Sequence, residues 1–119
     1  MLHFLLVPVA SIALYASDPK VNQYENGNAL LRDCTGENAE NASAAAVTKS
    51  ICLGYVEGAA DSLAVFRFIN KAPACLPDGV DATQLVDVAV SFLRRHPEQR
   101  QNSAASLAAA AFVEAWCHK

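Results

Sequence analysis

The sequence has no cluster of basic residues. Its 9 lysines and arginines are outnumbered by 12 aspartates and glutamates, the net charge is −3, and neither sign forms a block along the chain. Contacting the phosphates of a nucleic acid requires a concentrated basic face. The densest basic stretch holds Arg94, Arg95 and Arg100, and arginines near a helix end more often offset the helix dipole. We therefore expect no nucleic-acid partner.

The sequence also lacks the motifs of common catalytic and metal sites. It contains no glycine-rich phosphate loop, no Gly-x-Ser-x-Gly elbow and no Cys-x-x-Cys pair. The histidines are scattered: His3 lies near the start, His96 precedes Pro97, and His118 follows the last cysteine. A Cys-His nucleophile pair would need a free thiolate, and none is expected if every cysteine is bridged. We expect no enzymatic activity, no bound metal and no cofactor.

Residues 1–16 have the composition of a signal peptide. They carry no Asp, Glu, Lys or Arg and end in small residues. Pro8 and the shortness of the apolar run disfavour a membrane-spanning helix, although an uncleaved anchor is the alternative. Cleavage after Ala13 or Ala16 is compatible with the sequence. Residues 17–119 are then long enough for one domain with a modest core.

Four cysteines all follow the predicted signal peptide: Cys34, Cys52, Cys75 and Cys117. An even number of cysteines in a short exported chain is typical of structural disulfides. Four cysteines in two bridges allow three connectivities. The count alone does not choose among them.

The apolar periodicity predicts helices and no sheet, because no window of five or more residues alternates convincingly. We expect an all-α fold, a small four- to five-helix up-and-down domain. The stretch from residue 35 to residue 49 is polar and small and is predicted to be a loop, helical at most from Ala44 to Val47. The predicted helices are one ending near Cys34, one from about Lys49 to Asn70, one capped by Asp81 and ending before Pro97, and one from Asn102 or Ser103 to about Cys117.

An up-and-down order selects one disulfide connectivity. The end of the first helix, at Cys34, lies at the same pole as the start of the second, at Cys52. The second helix leads to Cys75 at the far pole, and the fourth helix returns there with Cys117. We therefore predict bridges Cys34–Cys52 and Cys75–Cys117, each worth roughly 3 to 4 kcal/mol in the chain-entropy model.

Gly54 and Gly58 interrupt the second predicted helix, and each costs roughly 1 kcal/mol relative to alanine. A face of small side chains lets another helix approach closely, so the pair predicts core packing or a subunit contact. Tyr55 is predicted to be a half-buried aromatic beside them. Asp61 has no histidine within a turn and only Glu57 as a second carboxylate, which makes an acceptor role more plausible than catalysis.

Several stretches together resemble the Rap/Tai family, periplasmic immunity proteins that neutralise peptidoglycan amidase effectors of type VI secretion. The resemblance implies a small helical fold, a homodimer in the periplasm, and inhibition by plugging the cleft of a cysteine amidase that cuts peptidoglycan stem peptides. The matching stretches are "GNALLRDC" from Gly27, "CLGYVEGAADSL" from Cys52, "CLPDGVDATQLVDVAVSFLRRHPEQR" from Cys75 and "SAASLAAAAFVEAWC" from Ser103.

By position, the turn between the third and fourth helices is the predicted partner-binding site. The turn Leu76 to Asp81 is the second choice. The alternative interpretation is that the His-Pro-Glu stretch only ends one helix and starts the next. The predicted partner-binding residues are Arg95, His96, Glu98, Gln99, Arg100 and Gln101.

A second function class stays open, a client-binding protein similar to the small disulfide-bonded chaperones of periplasmic acid stress. Such a protein would dissociate from its dimer and expose apolar surface at low pH. The helices of this sequence are polar and clearly bounded by turn residues, which favours the interpretation as an amidase inhibitor. Fold resemblance alone does not decide between the two, since one scaffold can carry different binding functions.

Overall fold

The computed structural model describes residues 24–117. Within that range it contains four α-helices and no strand, which confirms the predicted all-α fold. The predicted signal peptide, residues 1–16, and His118 lie outside the described residues. No helix between residues 24 and 117 is long and apolar enough to cross a membrane. The helices are α1 (Gly27–Thr35), α2 (Ala42–Ile69), α3 (Ala82–Arg95) and α4 (Ala104–Phe112), with a 3-10 turn at Pro97–Gln99 and a π-helical turn at Val113–Cys117.

Each α-helix begins after a residue whose side chain caps it. Asn26 and Asn41 each accept a backbone N–H three residues on, at 2.9 Å, and so start α1 and α2. The predicted cap Asp81 is confirmed, since its carboxylate accepts the backbone N–H of Gln84 at 2.8 Å. Ser103 starts α4 in the same way. Such caps satisfy N–H groups that have no partner inside the helix.

The segment predicted to be a loop is mostly helix, because α2 begins at Ala42 and not near residue 49. Two local features explain the difference. Asn41 supplies the N-cap, and alanines at residues 42 and 44–46 have the highest helix propensity of any residue type. Only residues 36–41 remain as the connection between α1 and α2.

The core lies between the helices, and α2 is at its centre because it packs against each of the other three. The largest fully buried side chains are Phe112, Leu30 and Leu93, one from each of the surrounding helices α4, α1 and α3. The buried face of α2 consists of Cys52, Val56, Ala60 and Leu63.

In the last two turns of α2, Phe66 and Ile69 continue the apolar spacing of three or four residues, which predicts that they lie on the inner face. Both are exposed, at 64% and 69% of their surface. At 28 residues α2 is about 42 Å long, twice the length of the 14-residue α3. Its C-terminal end therefore extends past the helices that could cover it.

Both predicted disulfides are confirmed. Cys34 is bonded to Cys52, and Cys75 is bonded to Cys117, with Cα atoms 5.0 Å apart in each bridge. The first bridge ties the end of α1 to α2. The second ties the connection between α2 and α3 to the turn that follows α4.

Glu25 is the only charged residue that is buried among residues 24–117, with 9% of its surface exposed. Burial raises the pKa of Glu25 to about 7 from an ordinary value of 4.5, the hydrogen bond and charge of Asp33 raise it further, and Arg32 opposes the shift. The pKa of Tyr55 on α2 is raised as well, first by burial and then by the charge of Glu25. The Oε2 atom of Glu25 has no hydrogen-bond partner within residues 24–117. A neutral Glu25 is therefore favoured in the folded state.

The two disulfides are expected to contribute different amounts to stability, because they close loops of different length. Their sequence separations are 18 and 42 residues. Replacing both cysteines of the Cys34–Cys52 bridge by alanine should lower the free energy of unfolding by about 3 kcal/mol. The same replacement at the Cys75–Cys117 bridge should lower it by about 4 kcal/mol. Urea unfolding followed by circular dichroism measures both. Equal stability of a double variant and the wild type would contradict the expectation.

The Glu25 carboxyl should make stability fall with rising pH. Because its folded pKa is about 7 and its ordinary value is 4.5, the folded state binds the proton more tightly. This contribution is complete below pH 4.5, is lost as the pH rises through 7, and then stays constant. Glu25→Gln keeps a neutral side chain and should flatten the profile, so that the variant is the more stable protein at pH 8. Glu57→Gln, at an exposed position of α2, controls for the change in net charge. Parallel profiles for wild type and Glu25→Gln would refute the assignment.

Candidate functional site

The turn between α3 and α4 presents three of the six predicted partner-binding side chains to solvent. Arg95, Glu98 and Gln101 are exposed. The other three, His96, Gln99 and Arg100, are half-buried. The sequence-predicted set therefore divides into an outward group, which is free to contact a partner, and an inward group, which shapes the turn.

The charged side chains of the turn are held by local pairs. The guanidinium of Arg95 lies 2.7 Å from the carboxylate of Glu114 and 5.7 Å from the centre of the Phe92 ring. Nδ1 of His96 lies 3.2 Å from Oε1 of Glu98. A backbone N–H bond at its own residue, and next the contact with His96, lower the pKa of Glu98. The acid therefore stays charged at neutral pH.

The His96 ring packs against Phe92, with ring centroids 4.4 Å apart. Its Nε2 atom is buried and has no hydrogen-bond partner among the described residues 24–117. The imidazole is thus fixed mainly by packing, which orients its Nδ1 side toward Glu98. Within the described residues, the side chains in contact with this ring are Phe92 and Glu98, and no serine, threonine or cysteine is paired with it.

The backbone of the turn is closed by its own hydrogen bonds. His96 N–H donates to Phe92 at 3.1 Å, ending α3, and Gln99 N–H donates to His96 at 3.0 Å. Asn102 N–H then donates to the carbonyl of Gln99 at 2.9 Å. Short successive bonds of this kind restrict the turn to one shape.

The second-choice turn, Leu76 to Asp81, lies at the opposite end of α3. Leu76 and Val80 pack against the core, and Asp81 is occupied as the cap of α3, which leaves Asp78 as its free exposed charge. The 14 residues of α3 separate the two turns by about 21 Å. The two predicted turns are therefore alternative sites and not halves of one.

Gly54 and Gly58 do not pack against the core, so the intramolecular half of their sequence interpretation is wrong. Both are exposed, and a Cβ atom added to either would meet nothing within 4 Å among the described residues. They line an open groove of about 700 Å³ between α2 and α4. Small side chains also form the α4 wall of this groove: Ala105, Ser106 and Ala109.

The glycines belong to a longer feature that sequence reasoning missed, an exposed stripe on the face of α2 opposite the core. Its members recur every three or four residues along the whole helix. Gly54 and Gly58 each lie two residues from a core position, which is roughly the opposite side at 3.6 residues per turn. The signal was present in the sequence as a second apolar period on one helix. We call these residues the outer stripe: Val47, Ile51, Gly54, Gly58, Ser62, Val65 and Ile69.

Tyr55 and Asp61 flank the outer stripe. Tyr55 is half-buried, as predicted, and burial is the main cause that raises the pKa of its phenol. Asp61 is exposed beside the C-terminal half of α2. Between residues 24 and 117, no three His, Cys, Asp or Glu side chains lie close enough to hold a metal ion.

Comparison with known proteins matches the chain to a protein family. No curated protein and no solved structure matches the chain. The sequence profile of the Rap1a immunity proteins matches residues 26–117, which include all four helices and both disulfides. A match of this extent agrees with the helical fold, with the paired cysteines and with the resemblance of the sequence. The chain belongs to the family of Rap1a immunity proteins, which bind a cognate effector protein.

Proposed function

We propose that this immunity protein is exported to the periplasm and inhibits a peptidoglycan amidase effector of type VI secretion. The turn Arg95 to Gln101 enters the active-site cleft of the amidase and blocks access of the peptide substrate. The observation that carries the proposal is the arrangement of this turn, where charged and polar side chains point outward from a closed backbone.

A turn of this kind suits inhibition because it loses little freedom on binding. Ordering a loop and its side chains at an interface opposes association, and a preformed loop avoids much of that entropic penalty. The outward group offers Arg95 as a cation, Glu98 as an anion and Gln101 as an amide. Together these side chains can pair with negatively charged, positively charged and neutral polar groups in a cleft. A mixed pattern also favours one cognate enzyme over others, since wrongly placed charges repel.

The ion pair between Arg95 and Glu114 does not prevent Arg95 from binding a partner. Both side chains are about half exposed. Exposed pairs of this kind contribute little to stability, so the guanidinium can exchange Glu114 for an acceptor on the amidase at small cost.

The inhibitor acts as a homodimer that pairs through the outer stripe of α2. A dimer carries two copies of the turn, and the exposed apolar ends of the stripe become buried in its interface. Interfaces between identical subunits are commonly twofold, so that each contact occurs twice. The stripe meets this requirement, because Gly58 is its midpoint and its members are arranged symmetrically on either side.

Two antiparallel copies of α2 crossing at Gly58 would place large side chains beside large ones. Gly54 and Ser62 lie equally far from Gly58, and the larger residues lie beyond them at both ends of the stripe. The small centre permits close approach of the two backbones. Tyr55 and Asp61 also lie equally far from Gly58, which places each at the same level along the helix as the other residue of the second copy, on the opposite flank of the stripe.

Charge reversal at the two turns distinguishes the binding site. Glu98→Lys should raise the Kd for the cognate cysteine amidase, sought first among the products of neighbouring genes, by about 30-fold or more, as expected for an interface hot spot, and restore peptidoglycan hydrolysis. Asp78→Lys, an equal change of charge at the other end of α3, should leave the Kd and the inhibition of hydrolysis unchanged. Titration calorimetry and a hydrolysis assay with residues 17–119 in oxidised form measure this, with one chain bound per enzyme expected.

The reverse result, with Asp78→Lys disruptive and Glu98→Lys silent, would move the site to the Leu76 to Asp81 turn. No binding of the wild-type protein would reject the amidase as the target. Dimer dissociation with capture of unfolded clients at low pH would then favour the chaperone-like alternative.

A bulky residue at the midpoint of the stripe should separate the dimer without unfolding the subunit. Gly58→Trp introduces its side chain into open space in the monomer, since no neighbour lies within 4 Å of a Cβ there. Light scattering after size-exclusion chromatography should show the molar mass falling by half. Glu57→Trp, exposed on the side of α2 away from the groove, should keep the wild-type mass. A monomeric wild type, or a dimeric Gly58→Trp, would refute this interface.

A further inference from the structure

The short segment before and at the start of α1 runs alongside the partner-binding turn. We call residues 25–28 the strap. Its residues exchange backbone contacts with residues 100–104, and all of these contacts join parts of the chain that are far apart in sequence. They are Ala104 N–H to the Glu25 carbonyl at 2.8 Å, the bridge between Asn26 and Ser103, Gly27 N–H to the Asn102 carbonyl at 3.1 Å, and Asn28 N–H to the Arg100 carbonyl at 3.1 Å.

Two of these contacts come from helix geometry. The first N–H groups of an α-helix have no partner within the helix. In α1, which starts at Gly27, the N–H groups of Gly27 and Asn28 are of this kind, and both donate to carbonyls of the turn. Displacing the turn would leave these donors, and the carbonyls they bind, without their partners. Such a loss is unfavourable, most of all at the buried Gly27.

Gly27 is in direct contact with the turn. A Cβ atom at this position would lie 2.5 Å from Cδ1 of Leu107 and 3.0 Å from both the Cα and the carbonyl oxygen of Arg100. Contacts of that length with backbone atoms are too short to be tolerated without movement. The absence of a side chain is therefore what allows α1 to reach the turn.

The turn is also fixed from the side of α3. Nε of Arg100 donates to the carbonyl of Leu93 at 2.8 Å. Arg100 is thus held by its side chain to α3 and by its carbonyl to α1. The other end of α1 is fixed as well, because Cys34 in its last turn is bonded to Cys52 of α2.

We propose that the strap sets the shape of the partner-binding turn, with Gly27 and Asn28 as its positioning residues. This inference rests on the proposed function of the turn as the inhibitory element. Neither residue needs to touch the effector. The α1 N–H groups act through the carbonyl of Arg100 and that of Asn102, and so keep the outward side chains in their binding arrangement.

Proline substitution isolates the hydrogen bond from the strap. Asn28→Pro removes the N–H that binds Arg100, at a position in the first helical turn where proline is tolerated. Ser43→Pro is the matched control, since it occupies the equivalent position of α2, also after an Asn cap. Asn28→Ala keeps the N–H and should behave as the wild type.

Amide hydrogen exchange on the free protein and titration with the cognate amidase test the inference. In Asn28→Pro, the amides of Gln99 and Asn102 should exchange about tenfold faster and the Kd for the amidase should rise about tenfold, while core amides of α2 exchange as in the wild type. Ser43→Pro and Asn28→Ala should change neither. If Asn28→Pro does not fold, Gly27→Ala, which displaces Arg100, should give the same pattern.

Unchanged exchange in the turn of Asn28→Pro would overturn the inference, and so would faster exchange with an unchanged Kd. These outcomes differ from failure of the proposed function. In that case the wild-type protein does not bind the amidase, whereas the exchange rates of the free protein still show whether the strap holds the turn.

Discussion

The length of α2 is the constraint on which the rest of the structure depends. At 28 residues it is twice as long as α3 and about three times as long as α1 and α4. All three pack against one face of it, which leaves the opposite face uncovered, and they are too short to reach its C-terminal end. The apolar stripe is exposed because it lies on that opposite face. Exposed apolar surfaces of this kind often mark interaction sites, and the symmetric spacing of the stripe about Gly58 is what supports the proposed homodimer.

The small size of the core side chains explains the role of the disulfides. Five of the buried residues are alanines, at positions 60, 89, 104, 108 and 111, and each contributes little apolar area. Alanine does allow helices to approach closely, which brings Cys34 to Cys52 and Cys75 to Cys117. The bridges then restrict the unfolded chain. Close helix packing and covalent links thus stabilise a domain with few large core residues.

The turn between α3 and α4, residues 95–101, gains its rigidity from contacts with other parts of the chain. Its own hydrogen bonds close the 3-10 segment, but its position relative to the bundle depends on α1 and on Arg100. Glu25 belongs to the same joint, since its carbonyl binds the start of α4 while its carboxyl is buried beside Asp33. A buried acid with a pKa near 7 therefore lies at the base of the proposed inhibitory element. In the proposed mechanism, this joint is what keeps the binding surface fixed.

Local features of the sequence were sufficient for the elements and their order. The four helices could be predicted from features that depend on neighbours in sequence: the Asp81 cap, the apolar period of α3 and the prolines that end helices. The two bridges could be predicted because successive helices of an up-and-down chain run in opposite directions, which fixes the end of the domain at which each cysteine lies. The sequence also located the turn at residues 95–101. It did not show the early start of α2, because the polar stretch before the alanines also contains Asn38 as a candidate cap, and nothing local selects Asn41.

What only the tertiary structure decided concerns which surfaces meet. Phe66, Ile69 and the two glycines had the period of a buried face, yet they are exposed, because burial depends on the length of neighbouring helices and not on periodicity. The division of the turn into outward and inward side chains also had no local signal. Its backbone is held by Gly27 and Asn28, and a contact between such distant parts of a chain exists only once the helices have packed.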